Sequence, residues 1–232
     1  SPSSSSPSRI SPWPAPTSWA PPARNAVGEN VTTVRVKQRL FRQSYVGVLY
    51  TGRDRRDAAS PLLQTVGADF QLATSTFHGS KNLSVGGFVL NTTNPLDTGR
   101  NGAYGLRIDY PNDRWNTGLA YRVVEDNFSP ALGFMTRTGG YRRYLPYFNF
   151  SPRPRNGRLV RRFGFTADVD LQLDTSNEWL TRLWNLTLLD VNFQSEDNLS
   201  FLVLPEYERL HGDFRVNARD NVALPRGREY DF

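Results

Sequence analysis

The 232-residue chain carries 28 Lys and Arg against 22 Asp and Glu, a net charge of +6, and with no cysteine it can form neither disulfide staples nor thiolate sites. A mean hydropathy of −0.53 and the lack of any run of about 18 apolar residues exclude a membrane-spanning helix. They do not exclude a β-barrel, in which half of each strand faces a polar interior. The basic residues fall in small scattered groups, such as Arg53, Arg55, Arg56 and Arg142, Arg143, with no recognition-helix pattern, which argues against nucleic acid as a partner.

Residues 1–30 are rich in Ser and Pro and lack periodicity, so they read as a linker or disordered segment. The start at Ser1 has no charged region followed by an apolar one, so no signal peptide is read there. From Val31 the pattern predicts strands near 31–40, 44–53, 65–75, 82–91, 103–110, 115–124, 140–151, 158–174, 182–194 and 198–208. Tyr104, Leu106, Ile108 and Tyr110 alternate with Gly105, Arg107 and Asp109, and Trp115 to Val123 alternates in the same way. The clearest stretch is Phe163 to Leu173: Phe163, Phe165, Ala167, Val169, Leu171 and Leu173 share one parity, and Gly164, Thr166, Asp168, Asp170 and Gln172 share the other. Successive strand side chains point to opposite faces, so this segment has one apolar and one polar face. Its length matches the roughly 9–11 residues of a tilted bilayer-crossing strand, against about 5–6 for a sandwich strand. The parity slips around Leu188 and Leu189, which points to a bulge.

The connections alternate: short at 41–43, 76–81, 111–114, 152–157 and 195–197, long at 54–64, 92–102 and 125–139, intermediate at 175–181. Outer-membrane barrels have short periplasmic turns and long external loops. Tyr110 and Trp115 bracket one turn, and Trp179 and Trp184 flank a strand entrance, as in an interfacial aromatic girdle. The expected fold is therefore an all-β, antiparallel up-and-down transmembrane barrel of about ten strands over 31–232. Arg107, Asp109, Arg122, Asp168 and Asp170 are its expected lumen-facing polar residues.

No catalytic, cofactor-binding or metal-binding residue stands out. His78 and His211 are isolated, in no triad or ligand motif, and read as structural. Glu206 and Glu208 would share a strand face, and Glu125-Asp126 opens a long loop; paired carboxylates serve glycoside hydrolysis only at a fixed separation in space. Gly86-Gly87 and Gly139-Gly140 fit no phosphate loop and read as relief of strand curvature. The sequons at Asn82 and Asn185 fall within expected strands.

Three stretches, VTTVRVKQRLFRQSYVGVLYTGRD (31–54), YRVVEDNFSPALGFMTRTGGYRR (121–143) and PEYERLHGDFRVNARDNVALPRGREYDF (205–232), carry a resemblance. They are similar to the barrel part of an uncharacterised family of bacterial outer-membrane proteins, a domain of unknown function usually preceded by a carbohydrate-binding-module-like domain. The phrase from Asn127-Phe128-Ser129-Pro130 to Gly133-Phe134 is its most specific part. The resemblance covers roughly Val31 to Phe232 and implies a larger barrel of which this chain is a middle piece; Tyr230 and Phe232 imitate a terminal aromatic signal. Residues 1–30 do not match. It also implies an outer-membrane location, the lipid bilayer as partner, and carbohydrate as a further partner through the N-terminal domain. The competing readings are a soluble all-β carbohydrate-binding module and a hydrolase dependent on Glu206 or Glu208.

Overall fold

The computed structural model describes residues 28–56, 61–93, 99–135, 137, 139–209, 214–217, 222–224 and 229–231, with side chains described through Arg209. Of the linker expected over residues 1–30, residues 1–27 lie outside them, as does His211, while Glu29 and Asn30 already belong to the first strand. Every regular element is a strand: β1 (Glu29–Leu40), β2 (Ser44–Arg55), β3 (Leu63–Phe77), β4 (Lys81–Thr93), β5 (Gly102–Pro111), β6 (Trp115–Val124), β7 (Tyr141–Phe150), β8 (Val160–Leu173), β9 (Trp179–Phe193), β10 (Asn198–Val203), β11 (Glu206–Arg209), β12 (Phe214–Asn217), β13 (Val222–Leu224) and β14 (Glu229–Asp231).

Each of β1 to β9 pairs antiparallel with the next in sequence, the plain up-and-down order that alternating hairpins produce. Beyond β9 the neighbour is made in two pieces. β10 pairs with the second half of β9 and β11 with its first half, while Trp184 donates its backbone N–H to Pro205 O at 3.1 Å between them. Proline has no N–H to give a ladder, so the break falls where the chain cannot continue pairing. β11 then pairs with β14, and β12 with β13 in a separate hairpin. The register shifts within β8–β9 between Gly164 and Thr166, and within β9–β10 between Phe201 and Leu202, opposite the stretch where the sequence parity slips. The sheet is open: among the described residues β1 pairs only with β2.

The tight connections close through left-handed residues, Phe41 at φ 56°, His78 at 44° and Gly79 at 93°, and Glu196 at 72°. His78 therefore serves a hairpin turn, edge-on to Phe77 at 4.5 Å. The expected rhythm of turn lengths holds over the first seven strands and fails after them: the connection 151–159 is longer than 174–178, the reverse of the expectation. Ser151 to Leu159 is held as an ordered extension instead, by Ser151 N–H to Arg114 O, Phe163 N–H to Pro152 O and Gln194 N–H to Leu159 O. Gly139 and Gly140 sit at φ 89° and 71° in a loop, where they turn the chain into β7; the expectation that they relieve strand curvature is wrong, because glycine is needed there for its left-handed backbone.

Register divides the side chains of the sheet into two faces. One row runs Val36, Val48, Ala68, Val89, Tyr104 and Val123 along hydrogen-bonded neighbours β1 to β6. The other runs Lys37, Gly47, Asp69, Phe88, Gly105, Arg122 and Arg143. The apolar face is the open one: Val48 is 54% exposed, Leu106 46% and Phe201 59%. The side chains of Asp109 and Asp170 on the polar face keep 16% and 15%. Phe165 and Leu171 are half-buried and Val169 is 9% exposed, covered within the sheet beside its cross-strand partner Trp184. Cavities lie over both faces, about 570 Å³ between Arg35 on β1 and Leu145 on β7 and about 520 Å³ over Val36, Val46 and Val89, but on the polar face Arg35 meets Asp69 and Tyr147 meets Asp109 across an intervening strand, as side chains on the inside of a curve do.

Candidate functional site: the polar wall and its loop

The five residues expected to face a lumen lie on one face of the sheet. Arg107 and Asp109 on β5 lie in the rows of Ala120 and Gly118 on β6; Arg122 pairs with Arg143 on β7; Asp168 on β8 pairs with Tyr147, and Asp170 with Leu183 on β9. Three of them form ion pairs, in two separate groups. Arg107 Nε donates to both Asp109 oxygens at 2.9 and 2.7 Å, and Arg143 donates to Asp170 at 2.9 and 2.6 Å. Asp168 is exposed between them. Two further groups were not singled out by sequence reasoning. Arg35 Nη2 donates to both oxygens of Asp69 at 2.9 Å, and Asp190 accepts from Asn192, Asn198 and Ser200 at 2.6–2.9 Å, with Arg162 at 3.8 Å.

Three of these contacts skip a strand, and each passes over a glycine. Gly47 lies between β1 and β3, and a Cβ there would sit 2.9 Å from the Asp69 carboxylate and 3.5 Å from the Arg35 guanidinium. Gly118 separates Asp109 from Tyr147, whose hydroxyl donates to Asp109 Oδ1 at 3.0 Å; a Cβ there would lie 2.7 Å from that oxygen and 2.5 Å from the Tyr147 ring. Gly105 separates Phe88 from Arg122, whose guanidinium stands 6.0 Å from the ring centroid. Neighbouring strands are about 4.7–4.9 Å apart, so side chains two strands apart meet only where the intervening residue has no side chain. The polar parity mixes Arg, Asp and Gly for this reason, a reason that becomes visible once the register is known.

The loop 125–140 completes the wall. Its stem is fixed to the preceding loop: Glu125 Oε2 accepts from Gly102 N–H at 2.7 Å, Asp126 pairs with Arg100 at 3.1 Å, and Asn127 donates through Nδ2 to Gly99 O at 2.8 Å and through its backbone N–H to Arg100 O at 3.1 Å. It then leaves its own strands. Ser129 N–H donates to Thr92 Oγ1 at 3.4 Å and Ala131 N–H to Thr65 Oγ1 at 2.9 Å, on β4 and β3. On the opposite flank Arg137 Nη2 donates to Thr181 Oγ1 on β9 at 3.1 Å and to Glu208 Oε1 on β11 at 2.7 Å. Ala131 is 1% exposed, as is Thr92, so the loop is buried at Ala131, while Ser129 and Phe134 on either side of it are exposed.

The expected carboxylate pairs thus have structural partners here. Glu125 and Asp126 anchor the stem. Glu208 accepts from Arg137 on one oxygen and from Thr181 Oγ1 at 2.7 Å on the other, while Glu206, on the same face, is exposed. Among the described residues no group of three or more His, Asp or Glu is placed to hold a metal ion. No family model, no curated protein and no solved structure matches this chain.

Proposed function

We propose that the chain is the wall of a bacterial outer-membrane β-barrel with a structural or transport-related role, its apolar face against acyl chains and its polar face toward the interior. The carrying observation is the inverted exposure: Val36, Val48, Leu106 and Phe201 are open on a face that no described strand covers, and the carboxylates of Asp69, Asp109 and Asp170 are held against arginines on the other. In water such a continuous apolar face would be covered by a second layer or a partner. A bilayer covers it outright. Strand length supports the reading, since β1 to β9 are 10–15 residues long, enough to cross the hydrocarbon at a tilt.

An aromatic band supports it too. At the short-turn ends Phe77 meets Tyr110 at 6.4 Å, Trp115 stacks on Phe150 at 4.1 Å, and Phe150 on Phe165 at 6.1 Å, with the Arg114 guanidinium 5.4 Å over Phe150. Aromatic rings with a cation at their outer edge suit the headgroup boundary. Within hydrocarbon the free edge of β1 has to be paired, so closure of the barrel is part of the proposal. Spin labels at single cysteines, introduced one at a time into this cysteine-free chain, test it. In liposomes, labels at Val169 and Leu171 are expected to collide with oxygen and those at Asp168 and Asp170 with an aqueous nickel chelate. The opposite pattern, or a chain that is monodisperse in plain buffer, sinks the proposal.

A further inference from the structure

The loop 125–140 makes bonds to strands that are far apart in the sheet. Thr65 on β3 and Thr181 on β9 are separated by six strand spacings, about 29 Å if the sheet were flat. The six peptide steps from Ala131 to Arg137 cover at most about 20 Å; with the Arg137 side chain and the hydrogen bonds of 2.9 and 3.1 Å at the two ends, the link would reach across a flat sheet only near full extension, and this stretch bends at Gly133, φ 120°. The loop therefore follows a chord while the sheet follows the arc. Its attachment points, Thr65 at the start of β3, Thr92 at the end of β4, Thr181 at the start of β9 and Glu208 near the end of β11, all lie at the same end of the sheet. Each is a polar group on the polar face, and each is engaged by a loop atom from the inner side.

We propose that this loop is a crossbar that constricts the mouth of the polar interior, seated on one flank by Thr65 and Thr92 and latched on the other by Arg137 against Glu208 and Thr181. The inference rests on the reading of the polar face as a barrel interior. The two flanks differ in chemistry. Ala131 and Ser129 hand backbone N–H groups to threonine hydroxyls, so that side is insensitive to charge. Arg137 holds a carboxylate, so the latch weakens when either charge is removed. The stem, pinned by Glu125, Asp126 and Asn127, stays in place when the latch opens, which makes the Arg137 flank the one that swings.

Two measurements test this separately from the membrane reading. In the chain folded in detergent, the pairs Thr65→Cys/Ala131→Cys and Arg137→Cys/Glu208→Cys, treated with an oxidant and with a short bismaleimide, are expected to cross-link as fully as a control pair on adjacent strands, Val48→Cys/Ala68→Cys. If the control links and neither loop pair does, the crossbar is overturned, whatever the state of the bilayer proposal. In liposomes, deletion of residues 129–137 is expected to raise sugar entry several-fold over the unaltered chain, and Glu208→Gln to raise it by a smaller factor without loss of insertion. Insertion with no rise in entry for the deletion overturns the constriction. A failure of the spin labels at Val169 and Leu171 to reach lipid removes the barrel reading and leaves the loop's seating to be decided by the cross-links.

Discussion

On the apolar face, apart from Phe77 meeting Tyr110 across β4 at a hairpin end, the ring contacts run between immediate neighbours: the Phe70 ring lies over Gly87, its partner in the β3–β4 register, and Trp115 over Phe150, its partner in β6–β7. On the polar face, Arg35 to Asp69, Tyr147 to Asp109 and Arg122 to Phe88 each reach over an intervening strand. The difference teaches that the two faces tolerate different changes. On the proposed reading the apolar face meets lipid, which excludes charge but leaves its apolar side chains interchangeable. The polar face is a set of specific bridges, and at Gly47, Gly105 and Gly118 the clearance leaves no room for a methyl group.

The largest expected effect comes from placing charge on the apolar face. Leu106→Arg in the middle of β5 is expected to cost about 2–4 kcal/mol in urea unfolding measured in lipid vesicles, the cost of a cation near the midplane of a barrel. Gln71→Arg on the polar face is expected to stay within about 0.5 kcal/mol. Equal, small effects at the two sites would erase the distinction between the faces, because in water Leu106, already 46% exposed, would accept arginine readily. Gly118→Ala comes next, at about 1–3 kcal/mol. Its new Cβ would lie 2.6 Å from the Ile108 carbonyl oxygen and 2.5 Å from the Tyr147 ring, so the strand and not only a flexible tip must move. A near-neutral Gly118→Ala by the same unfolding measurement contradicts the bridging geometry.

Asp170→Asn is expected to cost about 1–2 kcal/mol, since it leaves the half-buried Arg143 guanidinium without its carboxylate. A double-mutant cycle with Arg143→Met should show a coupling that survives added salt better than an exposed pair would. The smallest effect is Arg153→Ala at the short-turn rim. Its pair with Asp113 has side chains 60% and 71% exposed, so the expected loss is at most about 0.5 kcal/mol, vanishing at high salt. A loss above that of Asp170→Asn would mean that the rim, and not the wall, carries the electrostatic stability.

The strands were legible because a two-residue period survives in the sequence wherever one face is apolar. Expected and observed bounds for 44–53, 103–110 and 115–124 differ by no more than two residues from β2, β5 and β6. The shared face of Arg107, Asp109, Arg122, Asp168 and Asp170 follows from the same period. Other features depend on distance across the sheet, which a period does not encode. Gly47, Gly105 and Gly118 look like weak strand residues until Asp69, Phe88 and Tyr147 are seen leaning over them. The loop phrase Asn127-Phe128-Ser129-Pro130 stood out by resemblance, yet nothing in its composition tells that Ala131 would be buried against β3. The ordered extension at 151–159 was missed because its hydrogen bonds are to Arg114 and Gln194, distant in the chain.

Each strand from β1 to β8 makes its backbone ladder only with the strands before and after it, while the loop 125–140 ties the third strand to the ninth and eleventh. Such a sheet can grow one hairpin at a time, with every new ladder formed against an edge already in place and only a short length of chain to close. The crossbar has to wait, because Thr181 and Glu208 do not exist as a docking surface until β9 and β11 have been added. Seating of Arg137 is thus a late event, and a chain stalled at β8 would hold this loop by its Thr65 and Thr92 flank alone.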